Sequence, residues 1–337
     1  MPIGLDATYS LGRNPSGVAV YSREILTGLA RAHPQEKFLF YYRPHRYLRS
    51  LREPVPPNAR RRILRGAPST PLFHALNQRV DTPARRTVTT FHDLFVLTAD
   101  YSSTEFRQRF AAQAQSAAQR SDLIIAVSHF TAGQVEGLLK VEPTRIRVVP
   151  HGTRAPEAIP TAKENLVLTV GAVQKRKNIG RLVKAFQAMP PGWKLAIAGS
   201  AEGYGAAEEL RAVEESPRRA DIDVMGYVST AALENLYARA RIFAFPSLDE
   251  GFGMPVLDAM AHGVAVVSSN RSALPEVAGD AALLVDPENV EELGSSLARL
   301  AENEELRQAL IGRGLARAAQ FPWEAAVGAT WGVYGEL

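Results

Sequence analysis

The chain contains no cysteine among its 337 residues, which excludes disulfides, thiolate zinc sites and a cysteine nucleophile. It has no apolar run near the roughly 18 residues that a membrane-spanning helix needs. Met1 to Gly12 carry Asp6 and no basic cluster ahead of an apolar stretch, so no secretory signal is expected. Internal repeats, low-complexity tracts, a P-loop and paired-histidine metal spacing are also missing. The expected location is cytoplasmic, with peripheral contact at the inner membrane face as a further option.

What is present fits a folded protein. The chain is 46% hydrophobic and 22% charged, excluding wholesale disorder, and it is long enough for two domains. The net charge of +4 is unevenly spread. Through residue 160 there are 22 Lys and Arg against 12 Asp and Glu; beyond it, 17 against 23. That asymmetry fits an anionic partner for the first half, or an ordinary arginine-rich surface.

Extended apolar runs alternate with helical patterns, predicting βαβ units and parallel sheets. Ile3 to Ala7 leads into a glycine-bearing loop, Tyr9 to Gly17, and then a helix with Val18, Tyr21, Ile25, Leu26 and Leu29 on one face. Strands follow at 38–42, 87–91, 122–127 and 146–150. The pattern breaks between Gly152 and Glu164, around Pro156 and Pro160. It restarts at 166–173 and continues at 194–198, 223–228, 241–245 and 264–268. The expected architecture is α/β, with two doubly wound Rossmann-like domains (1–155 and 156–320) facing a central cleft. Ligands of such sheets bind beyond the carboxyl ends of the strands.

The most informative segment runs from Phe245 to Met260. A strand ends at Phe245, Pro255 stands at the start of a predicted helix and Gly263 just past its end. Gly251 and Gly253 leave the backbone bare before that helix, where amides can meet an anion such as a diphosphate. Glu250 and Asp258 flank this turn and could address different parts of one ligand; a tight connection with solvated acids is the plainer alternative. Lys175, Arg176 and Lys177 follow another strand, ahead of Asn178, a predicted N-cap. Two weaker signals are discounted. Asp221-Ile222-Asp223 reads as a strand entrance, and Gly203-Tyr204-Gly205 lacks the third glycine of a dinucleotide fingerprint.

Glu250 to Asp258 resembles the E-x7-E signature of the group 1 (family 4) glycosyltransferases, retaining nucleotide-sugar enzymes of the GT-B fold, with aspartate as the second acid. Gly171 to Asn178 resembles their basic loop, although Ala172 stands where many relatives have arginine. Gly226-Tyr227-Val228-Ser229 is similar to their nucleotide-facing turn, and Ser269 to Val277 to the segment after the signature helix. Thr90-Phe91-His92-Asp93, Val149 to Gly152 and Asp6 to Tyr21 carry the resemblance through the first half.

The resemblance implies a nucleoside-diphosphate sugar on Gly17, Gly226, Tyr227, Val228, Gly251, Phe252, Gly253, Met254, Pro255 and Asp258. It implies catalytic roles for Glu250, Lys177, Arg176 and His92, the last hydrogen bonding to the sugar or the acceptor. Neither a metal nor another cofactor is implied, and no nucleic-acid module is recognised. The sequence looks most like bacterial mannosyltransferase-type members. That implies hexose transfer, first from GDP-mannose, to a glycan or lipid-linked glycan, with the second domain on the donor and the first on the acceptor. Residues 321–337 resemble a closing helix that crosses back to the first domain. A nucleotide-sugar epimerase and a noncatalytic sugar-nucleotide-binding subunit are the rival readings. Residues 43–65 hold eight arginines and His45, interleaved with Tyr47, Leu48, Leu51 and Ile63. This segment could rest on an anionic membrane or be a solvated, proline-rich connection.

Overall fold

A computed structural model describes residues 1–12, 16–158 and 162–337. Arg13 to Pro15 of the first glycine-bearing loop and Ile159 to Thr161 of the interdomain break lie outside the described residues. The chain divides into two compact units, Met1–Gly152 with Trp323–Leu337, and Thr153–Pro322.

The first unit is built on β1 (Ile3–Asp6), β2 (Phe38–Tyr42), β3 (Ala59–Ile63), β4 (Leu72–Ala75), β5 (Arg86–Phe91), β6 (Leu123–Ala126) and β7 (Ile146–Val148). All pair in parallel, in the order β3-β2-β1-β4-β5-β6-β7. β1 and β6 are buried along their whole length, which is why they read as continuous apolar runs rather than alternating ones. The first helix, Gly17–Ala32, starts on Ser16, whose Oγ accepts from the Ala19 amide, and buries Tyr21, Ile25, Leu26 and Leu29. The C-terminal helix, Trp323–Gly335, buries Trp323, Val327, Thr330 and Tyr334 at helical spacing. Trp331 stacks on His33 with ring centroids 3.6 Å apart, and the Tyr334 hydroxyl lies 2.6 Å from His74 Nδ1.

Two four- or five-residue strands in this unit, β3 and β4, escape the sequence pattern. β3 is Ala-Arg-Arg-Arg-Ile, an edge strand paired only with β2. Its basic run is a common protection of a sheet edge. The reading of 43–65 as one surface connection is therefore corrected. Arg43 is buried, Pro44–Ser50 is a helix, and Arg61 Nε donates to Ser50 O at 3.0 Å. The exposed residues of 43–65 mix charge, as at Arg52, Arg60, Arg62 and Arg65, with large apolar side chains, Leu48 at 78% and Leu51 at 55%.

The second unit carries β8 (Glu164–Val170), β9 (Lys194–Ala198), β10 (Ile222–Gly226), β11 (Ala240–Phe245), β12 (Ala265–Ser269) and β13 (Ala282–Val285). Their order, β10-β9-β8-β11-β12-β13, again wholly parallel, is that of a Rossmann sheet. Chain order reverses between β8 and β11, so the crevice beyond their carboxyl ends is where this topology binds ligands. Helices Ile179–Phe186 and Val290–Glu302 pack Leu182, Phe186, Leu293 and Leu297 onto Val167, Ile242 and Val267 of the sheet.

Candidate active site

The loop after β8 and the loop after β11 meet at this switch point. Gly171 to Gln174 leave β8 and reach a 3-10 turn, Lys175–Lys177, that opens helix Ile179–Phe186. Asn178 stands at the predicted N-cap position but does not cap. Its φ is 60°, and its side chain instead donates to Pro246 O at 3.0 Å and Pro287 O at 2.6 Å. It thereby ties the basic turn to the loop after β11. Leu248 N donates to Arg176 O at 2.7 Å, and Ser247 Oγ lies 3.1 Å from the same carbonyl. Gly199, at φ 156°, lets the end of β9 come close behind: a Cβ there would stand 2.0 Å from Gly171 O.

These ties bring three of the expected catalytic side chains onto one oxygen. Glu250 Oε1 accepts from Arg176 Nη1 at 2.6 Å, from Lys177 Nζ at 2.5 Å and from Ser247 Oγ at 2.5 Å. All three charged side chains are only 10–11% exposed. Burial alone would raise the Glu250 carboxyl, but the two cations and two hydrogen bonds outweigh it and hold its pKa at about 2. The Lys177 ammonium also lies 4.5 Å over the Phe245 ring. Ser247 was not singled out from the sequence. Neither was Ser272, whose Oγ accepts from the Glu250 amide at 3.0 Å and fixes the carboxylate's backbone.

Gly253, at φ 112°, turns the chain into helix Met254–Ala261, with Pro255 in its first turn and Gly263, at φ 60°, just past its end. Gly251, Phe252 and Gly253 are buried. Phe252 packs edge-on against Phe321. Asp258, on that helix, faces a different environment from Glu250. It accepts from Thr153 Oγ1 at 2.7 Å, and burial without a cation raises its carboxyl from 3.8 to about 6. Eight residues apart, the two acids are pushed in opposite directions. Gly226, at φ 64°, ends β10, and its carbonyl accepts from Gly199 N at 2.8 Å. Tyr227, beside it, is 40% exposed. Asp221 and Asp223 flank the amino end of β10, the opposite end from the loops described, where Asp221 pairs with Arg218 at 2.9 Å.

In the first unit, Gly17 is the first residue of helix Gly17–Ala32 and is exposed. His92 follows β5 and is buried. Its Nε2 donates to Leu76 O at 2.9 Å, which leaves Nδ1 to accept, 3.4 Å from His151 Nε2. Burial lowers its pKa to about 4. The ring is therefore neutral near pH 7 and only a weak base. Tyr21 packs edge-on against it with centroids 4.7 Å apart. No helix among the described residues is long and apolar enough to cross a membrane.

Comparison with known proteins decides the family. Residues 154–317 match the model described as "Glycosyl transferases group 1", and residues 15–155 that described as "Glycosyltransferase Family 4". The O-antigen chain mannosyltransferase B of Escherichia coli is 33% identical over 270 residues, covering 75% of this chain and 71% of that protein. This chain belongs to the group 1 glycosyltransferases. The D-inositol 3-phosphate glycosyltransferase of Actinosynnema mirum is 29% identical, over 71% of this chain and 63% of its own length. Among solved structures, the sucrose-phosphate synthase of Thermosynechococcus elongatus superposes with a TM-score of 0.79 at 21% identity, covering 100% of this chain and 98% of that one. Anabaena HepE, solved with UDP and glucose, superposes with a TM-score of 0.76 at 17% identity, covering 100% and 99%. These two share the fold, and the group 1 glycosyltransferase is of the GT-B class.

Proposed function

We propose that this glycosyltransferase moves mannose from GDP-mannose to a glycan or lipid-linked glycan acceptor, with retention at the anomeric carbon and without a metal ion. The second unit takes the donor and the first the acceptor. Similarity to the O-antigen chain mannosyltransferase B supports the choice of sugar. The observation that carries the donor site is the Arg176, Lys177 and Glu250 cluster at the β8/β11 switch point.

The roles follow from charge. Held near a pKa of 2, Glu250 stays ionised at neutral pH. It therefore has no proton to give and is too weak a base to take one. It orients the donor sugar's hydroxyls and stabilises the positive charge that develops at the anomeric carbon. Arg176 and Lys177 place two positive charges where the diphosphate binds. As the bond from the anomeric carbon to the β-phosphate oxygen breaks, its electron pair leaves on that oxygen, beside these cations. The acceptor oxygen bonds to the same face of the carbon, and its proton passes to the departing phosphate oxygen. GDP and a mannoside of unchanged configuration result. Asp258 accepts hydrogen bonds from the ribose hydroxyls.

Thermal unfolding in EDTA with UDP, GDP and ADP tests the donor site. A ligand at 100 times its Kd adds about 2.7 kcal/mol, or roughly 5–11 °C for a unit of this size. GDP should give that shift and the others much less; no shift with GDP overturns the choice of donor. NMR of the product's anomeric signal tests retention. An isomerised donor formed without acceptor would favour an epimerase.

A further inference from the structure

The first unit holds a basic site of its own. Beyond the carboxyl ends of β1 and β2 lies a cavity of about 460 Å³, lined in part by Ser16, Arg43, His45, Arg46, Arg49 and Arg79. Among the described residues no acidic side chain lines it. Arg43 is only 5% exposed, and most of its guanidinium is committed. Nη1 donates to Asp6 Oδ2 at 2.8 Å and Nε to Asp81 Oδ2 at 3.2 Å. Its Nη2 is buried and has no hydrogen-bond partner among the described residues. A buried guanidinium nitrogen left unpaired is costly, and Arg43 carries that cost at the wall of this cavity.

Asp6 and Asp81 balance Arg43 and Arg79, the latter 2.8 Å from Asp81. Arg46 and Arg49, on helix Pro44–Ser50, have no ion-pair or side-chain hydrogen-bond partner among the described residues. The cavity therefore carries about two uncompensated guanidinium charges. Planar guanidinium forks match the oxygens of phosphate, and two charges suit a phosphate or diphosphate better than a single carboxylate.

We propose that this cavity binds a phosphate or diphosphate group carried by the acceptor. Calling the ligand an acceptor rests on the glycosyl-transfer reading; the binding of a phosphate group does not. Two sources share this chemistry, a soluble sugar phosphate and a lipid-linked diphosphate. Exposed Leu48 on the same helix and Leu51 just past its end offer apolar surface for an acyl or prenyl chain.

The test is calorimetric titration of inorganic pyrophosphate into the full chain and into two variants, Arg46→Ser/Arg49→Ser and Lys177→Met. Arg46 and Arg49 are partly exposed and unpaired, so their replacement leaves the fold intact; an unchanged melting temperature and an unchanged GDP-induced shift check this. Wild type should show two sites. The double variant should lose the first-unit site, with Kd raised about tenfold or more, and Lys177→Met should lose the other. Wild-type titration by the double variant overturns the proposal. An unaltered titration by Lys177→Met sinks the donor site instead and leaves this one standing.

Flotation with phosphatidylcholine vesicles, with and without a polyprenyl diphosphate, separates the sources. Capture that depends on the diphosphate and on Arg46 and Arg49 identifies the lipid-linked form. Pyrophosphate binding without capture identifies the soluble one. Equal capture by phosphatidylglycerol vesicles of matched charge would reduce the cavity to a general basic surface and refute the proposal.

Discussion

Replacing Glu250 by glutamine tests whether one carboxylate holds the donor cluster together. The substitution keeps the shape and one accepting oxygen but removes the charge that Arg176 and Lys177 share at 2.6 and 2.5 Å. In the folded chain the carboxyl lies at about 2, against an ordinary 4.5. At about 1.4 kcal/mol per pH unit, that gap amounts to about 3 kcal/mol of stability. Taking the carboxylate away from two nearly buried cations gives the same magnitude by a separate route, about 3–5 kcal/mol. A loss of 3 kcal/mol corresponds to roughly 6–12 °C in the melting temperature of a unit this size. Because the folded pKa is depressed, this contribution is complete above about pH 4.5 and is lost as pH falls through 2. Urea unfolding of wild type and Glu250→Gln from pH 8 down to 3 should show a constant gap to about pH 5 and a narrowing one below. Equal stability at pH 7, or a gap that widens on acidification, would refute the reasoning. Turnover should fall by about 10²-fold or more, as when one preorganised electrostatic contact is removed.

Asp258 should behave in the opposite sense. Its folded carboxyl lies at about 6, above the ordinary 3.8, so its charge costs up to about 3 kcal/mol at pH 7, and that cost fades below about pH 4. Asp258→Asn should therefore unfold at higher urea than wild type at pH 7. It should also bind GDP more weakly and abolish the tightening of GDP expected in wild type as pH rises through 6, measured by titration at pH 5 to 8. Gly199→Ala drives a Cβ to 2.0 Å from the Gly171 carbonyl. A backbone atom cannot yield as a side chain can, so a loss on the order of 3 kcal/mol or more is expected in thermal unfolding, with GDP binding lost as well. Transfer rates in EDTA should equal those with added magnesium; a rate restored only by the metal would overturn the metal-free mechanism.

The sequence by itself determined the fold class and most of the donor cluster, because both are written locally. Wholly buried parallel strands such as Leu-Ile-Ile-Ala of β6 read as apolar runs. The strand–glycine–proline–helix order from Phe245 to Gly263 fixes where Glu250 and Asp258 stand along the chain. β3 and β4 escaped the sequence pattern because of what they are made of. Neither the three arginines of β3 nor the buried His74 of β4 has the composition of a strand.

Only tertiary structure decided what the charges do. Asn178 looks like a cap, but folding turns it toward Pro246 and Pro287. Glu250 and Asp258 look equivalent, but one meets two cations from a loop more than 70 residues away, and the other's carboxylate accepts from the neutral Thr153 hydroxyl. Their pKa values part because burial and charge depend on those distant partners. Likewise the excess of arginine in the first half was plain in the composition. That Arg43 would be buried between Asp6 and Asp81, with Arg46, Arg49 and Arg79 around one cavity, came from the packing of β1 and β2.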